Sequence, residues 1–236
     1  CTRTWAGSEG STITTSVPVD CVVAAPAMPG KMGVAAETAH QSAGAIQGLM
    51  DLLQANPQLT ESPDDLKRIR ITIYEPAFGI IGDPAKRDPR TRQSADHSMV
   101  YIIATLLRKA FQSKQVGWKP LMLVPDDYSD QALVDPLTRS LIDGGEEYDA
   151  KYPDGIPTTI EFEHRTLGEL SSGLVMYPEG HARNESGNLD DLLAHKFGLL
   201  ASLGVSDSAA LAARMTDLRG RTPAEIDELY QFEITP

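Results

Sequence analysis

The sequence predicts an α+β fold, with helices packed on a small, mostly antiparallel sheet and a further set of helices at the C-terminal end. Three observations predict it. Apolar residues recur at three and four between positions 36 and 53, apolar and polar residues alternate between 68 and 74, and helical periods return from 188 to 232.

Residues 1–30 are rich in Ser, Thr, Gly, Pro and Ala, and predict an irregular connecting segment with one short strand near Val17 to Val23. From 35 to 55, Ala36, Ala39, Ala43, Ile46, Leu49, Met50 and Leu53 follow the period of a helix that buries a small-residue face. Asn56-Pro57 ends it, because proline disfavours helical backbone at the residue before it. Ile69, Ile71 and Ile73 alternate with Arg68, Arg70, Thr72 and Tyr74 as a half-buried strand, closed by Glu75-Pro76. Gly, Pro, Asp and Arg crowd Gly79 to Arg92, which reads as a loop. A helix is expected from Ala95 to Phe111, capped by Ser94, with Met99, Ile102, Ile103, Leu106, Leu107 and Ala110 inward. Ser129 opens another, through Leu133, Leu137 and Leu141 to Gly144. Ile156 to Glu163 and Gly173 to Tyr177 alternate as two strands around a turn region at 165–171.

The C-terminal helices have the clearest punctuation. Asn188 caps a helix carrying Leu189, Leu192, Leu193, Phe197, Leu200 and Leu203, and a second runs from Ser206 to Leu218 with Gly220 as its stop. Thr222-Pro223-Ala224-Glu225 is a capping box with proline at the first helical position, so a third short helix runs toward Phe232. The organisation read from this pass is a connecting segment at 1–30, an α+β domain at 31–185 and a helical segment at 186–236.

The 236 residues are 41% hydrophobic, enough for a substantial core, and 33 acidic against 21 basic side chains give a net charge of -12. That field repels nucleic acid and anionic membrane surfaces, so neither is an expected partner. A small anion remains a fitting ligand, because a local group of cations outweighs distant charge screened over about 8 Å. Cys1 and Cys21 lack metal-ligand spacing, which argues against structural zinc, an iron-sulfur cluster or a disulfide framework; no metal or other cofactor is expected. No apolar run approaches the roughly 20 residues of a membrane span. The chain starts at Cys1 with no targeting segment, and the expectation is that its numbering begins inside a longer product.

Two short segments concentrate the chemistry. Ala95-Asp-His-Ser-Met-Val-Tyr101 sets His97 and Tyr101 four apart near the expected helix start, on one face, where backbone N–H groups favour an anion. They are candidate acid and base; equally, Asp96 serves the helix start and Tyr101 packs and bonds a carbonyl. Tyr177-Pro-Glu-Gly-His-Ala-Arg-Asn184 sets His181 to transfer a proton and Arg183 to grip a carboxylate in a glycine-containing loop, or is a turn with solvated charges. A third group lies at the mouth of the first helix: Lys31 as an anchor for a carboxylate, and Glu37 and His40 three apart on one face, against the ordinary reading of surface side chains. The basic loop Asp83 to Arg92 beside His97 either raises the local potential for a polycarboxylate or is simply solvated. His164 and His195 read as structural.

The ordered set Ile69-Arg-Ile-Thr-Ile73, Ala95-Asp-His-Ser-Met-Val-Tyr-Ile-Ile103, Tyr177-Pro-Glu-Gly-His-Ala-Arg-Asn184 and Leu192-Leu-Ala-His-Lys-Phe197 resembles the 2-methylcitrate dehydratase (MmgE/PrpD) family, in its fungal-type form, over roughly residues 30 to 234. The resemblance implies the smaller α+β lid domain of a two-domain lyase, with final helices that pack on an all-helical N-terminal half outside this sequence. It implies dehydration of 2-methylcitrate, a small polycarboxylate, without metal or cluster, by a homodimer that is mitochondrial if eukaryotic and otherwise cytoplasmic. Family relatives include cis-aconitate decarboxylase, and an isolated lid that binds without catalysing is the third alternative. By resemblance, Lys31 matches the substrate-binding lysine and Tyr101 the lid tyrosine facing the cleft, while His97, His181 and Arg183 match motif positions without individual roles. Around Lys31 to Ala43 the family pattern slips by one, which leaves the catalytic role of His40 open. The stretch Ile142 to Asp149 is shorter than the family pattern.

Overall fold

The computed structural model describes residues 39–128, 141–216 and 218–235. The alternation at Ile69, Ile71 and Ile73 forms β1 (Leu66–Ile73), with the three isoleucines buried and Arg68 and Arg70 exposed. Those arginines pair with Glu163 at 3.3 Å and Asp143 at 2.9 Å on the neighbouring strands. β3 (Thr158–His164) runs antiparallel to β1 with Ile71 opposite Ile160 and Ile69 opposite Phe162, so the apolar residues of both strands share one face. β4 (Gly168–Ser171) pairs antiparallel to β3, and β2 (Leu141–Gly144) pairs parallel to β1, giving the order β2-β1-β3-β4. The mostly antiparallel sheet and its helices make this an α+β chain, as its sequence predicts.

Helix α1 (Ala39–Ala55) lies against β3, and glycine sets the distance between them. A Cβ at Gly44 would stand 2.4 Å from Thr158 Oγ1, and one at Gly48 2.7 Å from Ile160 Cγ2, so any larger residue pushes the helix off the sheet. Ala45, Leu49, Met50 and Leu53 fill the resulting interface. Beside α1 stands α4 (Met99–Ser113), whose predicted inward residues Met99, Ile102, Ile103, Leu106, Leu107 and Ala110 are all buried.

Several expectations are corrected. Glu75-Pro76 opens a helix rather than merely closing β1: α2 (Glu75–Ile81) has proline in its first turn, where the missing N–H costs no hydrogen bond. The expected loop from Gly79 to Arg92 therefore holds the end of α2 and a single 3₁₀ turn at Pro84–Lys86, capped by the Asp83 carboxylate accepting from the Ala85 N–H at 2.7 Å. Ser94 does not cap the long helix. It sits in α3 (Arg92–Ala95), inside a capping box with Thr91, and α4 begins four residues later with Ser98 as its cap. Residues 141–144 are strand, not the end of a helix; the rest of the helix expected from Ser129 lies outside the described residues, as do residues 1–38. The hairpin partner of β3 is β4, whereas Gly173 to Tyr177 holds only one bridge, Val175 to Thr158.

Two short helices, α5 (Trp118–Leu121) and α6 (Glu146–Asp149), precede the C-terminal set of α7 (Leu189–Ala201), α8 (Ser208–Arg214) and α9 (Pro223–Leu229). The Asn188 cap and the Thr222 to Glu225 capping box form as expected. An ion pair from Lys119 to Asp191 at 2.5 Å links α5 to α7. No residue of α7 is buried. Among the described residues no helix is long and apolar enough to cross a membrane.

Candidate active site

The chain leaves α3 at Asp96, whose N–H bonds the Arg92 carbonyl, and enters α4 at Ser98. Ser98 is fully buried: its hydroxyl accepts from the Tyr101 N–H at 3.2 Å and donates to the Lys86 carbonyl at 2.7 Å. That second bond fastens the basic loop to the start of α4. His97 therefore lies in the turn between two helices and not in a first helical turn, so it and Tyr101 do not form the expected i, i+4 pair. Its Nδ1 stands 2.5 Å from Asp96 Oδ1 and 3.0 Å from the Gln93 carbonyl. The imidazole is 40% exposed and the carboxylate beside it 5%.

Tyr101 is buried. Its hydroxyl donates to the Asp127 carbonyl at 3.1 Å, and its ring stacks on Tyr128 with centroids 6.1 Å apart. Burial first, and then the Asp96 and Asp127 carboxylates, push the Tyr128 phenol far above its ordinary value, with Arg92 opposing. A phenol so placed stays protonated. The Asp127 carboxylate in turn accepts from Lys109 at 2.8 Å and from the Val124 N–H at 2.7 Å, with Arg108 at 3.9 Å. Arg92 Nη2 and Arg87 Nε are buried nitrogens with no hydrogen-bond partner among the described residues. Arg92, at the end of the basic loop, acts on Tyr128 and so reaches the same region as Asp96 and Asp127. Sequence reading gave Asp96 only a place at the helix start and missed Lys109, Asp127 and Tyr128. The one signal is for Lys109, which follows Tyr101 by about two helical turns on the same helix.

The second segment forms a separate hydrogen-bonded group. Gly180 takes φ +92°, which only glycine adopts freely, and turns the chain back on itself. The Tyr177 hydroxyl donates to Asp154 Oδ2 at 2.9 Å, the Arg183 guanidinium bonds the other oxygen of that carboxylate, and the guanidinium lies 5.8 Å from the Tyr177 ring centre. The hydrogen bond from Arg183 and then that from Tyr177 hold Asp154 below the usual carboxylate range. Tyr177 and Asp154 likewise raise the Arg183 guanidinium. His181 lies against Tyr177, ring centres 5.0 Å apart, and its Nδ1 accepts from the Arg183 N–H at 3.1 Å. The carboxylate that Arg183 grips here is the chain's own. The bonds of the His97 ring run to Gln93 and Asp96, the His181 ring takes the Arg183 N–H, and the Arg183 guanidinium bonds Asp154 and Tyr177, so these bonds form two separate groups among the described residues.

Of the third group, Lys31 and Glu37 lie outside the described residues, and so does the side chain of His40 at the start of α1. His164 is buried in the hairpin, where its Nδ1 accepts from the Thr166 and Leu167 N–H groups at 3.4 and 3.3 Å, the structural role expected of it. Among the described residues no group of three or more His, Cys, Asp or Glu is placed to hold a metal ion. What the region around His97 offers chemically is an open imidazole backed by a buried carboxylate, a protonated buried phenol and several cations.

No curated protein matches the chain. A family model, the MmgE/PrpD C-terminal domain, matches residues 38–219. The match spans both segments, the whole sheet and α1 through α8, well over half of the sequence. On that span the chain belongs to the MmgE/PrpD family, a family of dehydratase and lyase type, and carries its C-terminal domain.

Proposed function

We propose that this chain is the C-terminal part of a hydro-lyase that removes water from 2-methylcitrate to give a 2-methylaconitate, a step of propionate disposal, and that it is of the fungal type. The observation that carries the proposal is His97, an exposed imidazole held against a buried carboxylate within a matched family domain and next to the basic loop. Dehydration beside a carboxylate needs a base for a weakly acidic C–H, an acid for the departing hydroxide and fixed cations for the substrate's charges. His97 supplies a group of the first kind, Lys31 and Arg92 supply cations, and Arg183 joins them only by leaving Asp154 for the substrate. Tyr101 reaches substrate only if its bond to the Asp127 carbonyl opens. The partners in this reading are an all-helical N-terminal half of the same protein and a second copy in a homodimer, in mitochondria if the source is eukaryotic. The open apolar row of α7 supports a helical partner.

The test is turnover by the full-length protein of 2-methylcitrate, citrate and cis-aconitate, followed by absorbance of the unsaturated product and by release of CO2. Dehydration of 2-methylcitrate without CO2 is expected, and Lys31→Ala and Tyr101→Phe each lower its rate by roughly 10²-fold or more with the fold intact. Release of CO2 from cis-aconitate without hydration or dehydration overturns the proposal in favour of a decarboxylase. Wild-type kinetics in both variants remove Lys31 and Tyr101 from the site.

A further inference from the structure

His97 Nδ1 has two neighbours within hydrogen-bond distance, Asp96 Oδ1 at 2.5 Å and the Gln93 carbonyl at 3.0 Å. A backbone carbonyl can only accept, and a carboxylate accepts as well, so the hydrogen of the neutral ring must sit on Nδ1. Nε2 is then left with a bare lone pair. His181 shows the opposite arrangement: its Nδ1 accepts the Arg183 N–H, which puts the hydrogen of its neutral ring on Nε2. The two motif histidines are therefore set in opposite tautomers, His97 by a carboxylate and a carbonyl and His181 by a backbone N–H.

We propose that Asp96 is the positioning residue of His97, fixing the Nδ1–H tautomer and making Nε2 the atom that takes the proton from substrate. This rests on the proton-transfer role proposed for His97 above. Three features separate the arrangement from an ordinary surface ion pair. The carboxylate is buried and the imidazole is 40% exposed, so the charged partner is held inside while the ring stays open to solvent. Both ends of the turn are pinned, Asp96 through its N–H to Arg92 and Ser98 through its hydroxyl to Lys86, so the ring has little freedom to leave. A buried carboxylate is costly unless paired, and the group that Asp96 Oδ1 meets is the ring itself. When Nε2 takes a carbon-bound proton, the C–H electron pair forms the new double bond as hydroxide leaves. The imidazolium so formed lies against the Asp96 charge, and it returns its proton to the hydroxide to give water.

The test uses full-length protein labelled with ¹⁵N-histidine. A long-range ¹H–¹⁵N spectrum, with His97 assigned by the signals lost in His97→Gln, is expected to show a protonated Nδ1 and a bare Nε2 in the neutral ring. A ring protonated on Nε2 overturns the proposal without reference to any activity. With 2-methylcitrate as substrate, Asp96→Asn lowers kcat roughly 10²-fold and leaves KM within about twofold. Placed on top of His97→Gln it lowers the rate no further, because the two residues act as one unit. Losses that multiply instead mean that Asp96 acts only on the fold, and the proposal fails. Asp96→Ala, which leaves Nδ1 the longer contact to the Gln93 carbonyl alone, is expected to admit the Nε2–H tautomer into the spectrum, and an unchanged spectrum means that Gln93 and not Asp96 sets the tautomer and overturns the hold. If His97→Gln turns over 2-methylcitrate at the wild-type rate, the role of His97 falls, while the wild-type spectrum still decides whether Asp96 sets its tautomer.

Discussion

α4 and α7 are close in length, 15 and 13 residues, and both carry apolar residues at helical spacing, yet ten residues of α4 are buried and none of α7. α4 is enclosed by the core shared with α1 and the sheet. α7 meets α5 and α8 on one side and leaves Leu189, Leu193 and Phe197, one i, i+4 row, at 42, 50 and 38% exposure. An apolar period states that a helix has a face; it does not state what covers that face. In α4 the cover is inside this domain. In α7 it is not among the described residues, which suits a C-terminal domain proposed to rest on a helical half of the same protein.

The contrast can be broken most directly in α4. Leu106→Ala is expected to lower the unfolding free energy by roughly 2–5 kcal/mol in urea denaturation, the usual range for a leucine cavity in a closed core. A loss near zero would mean that the α4 interface is loose. Next comes the loop that leads into α7. Asp154 lies below its ordinary 3.8, so the tie to Arg183 and Tyr177 is present at neutral pH and persists as pH falls past that value. It is lost only as pH drops through the depressed folded value. A pH titration of the Asp154 side-chain carboxyl resonance, assigned by its loss in Asp154→Asn, should show this acid transition. A transition at or above 3.8 contradicts the tie. The smallest effect belongs to α7 itself: Leu193→Ser in this chain should change the unfolding free energy by less than about 0.5 kcal/mol. In the full-length protein the same substitution should cost roughly 1–3 kcal/mol, because there the side chain is covered. Equal effects in both contradict a covered α7 face.

The elements legible in the sequence were those whose signals are local. Asn188, and Thr222 with Pro223 and Glu225, satisfy orphan N–H groups within their own first turn, so the order of residues suffices to place the helix start. The errors arose where two local solutions compete or where a distant partner decides. Ser94 and Ser98 are both good caps; Thr91 engages Ser94 in a capping box, and the long helix is left to Ser98. That shift of four residues moved His97 out of the helix and against Asp96, which is why the sequence offered His97 with Tyr101 and not with its neighbour. Leu141 continues a four-residue period from Leu133 and Leu137, but β2 pairs with β1, seventy residues earlier in the chain, and no local period reports that pairing. Gly173 to Tyr177 alternates as a strand does, yet the tight turn after His164 gives the hairpin to Gly168–Ser171.

The side chain of Gln47 joins three parts of the domain. Its Oε1 accepts from the Trp118 indole at 3.2 Å and from the Glu179 N–H at 3.0 Å, while its Nε2 donates to Asp51 at 2.8 Å. The indole and the loop carrying His181 and Arg183 therefore share one acceptor. A displacement of that loop frees the acceptor it shares with the indole, so with Trp5 replaced by Phe the emission of Trp118 becomes an intrinsic optical gauge of the loop's state, needing neither label nor substrate turnover.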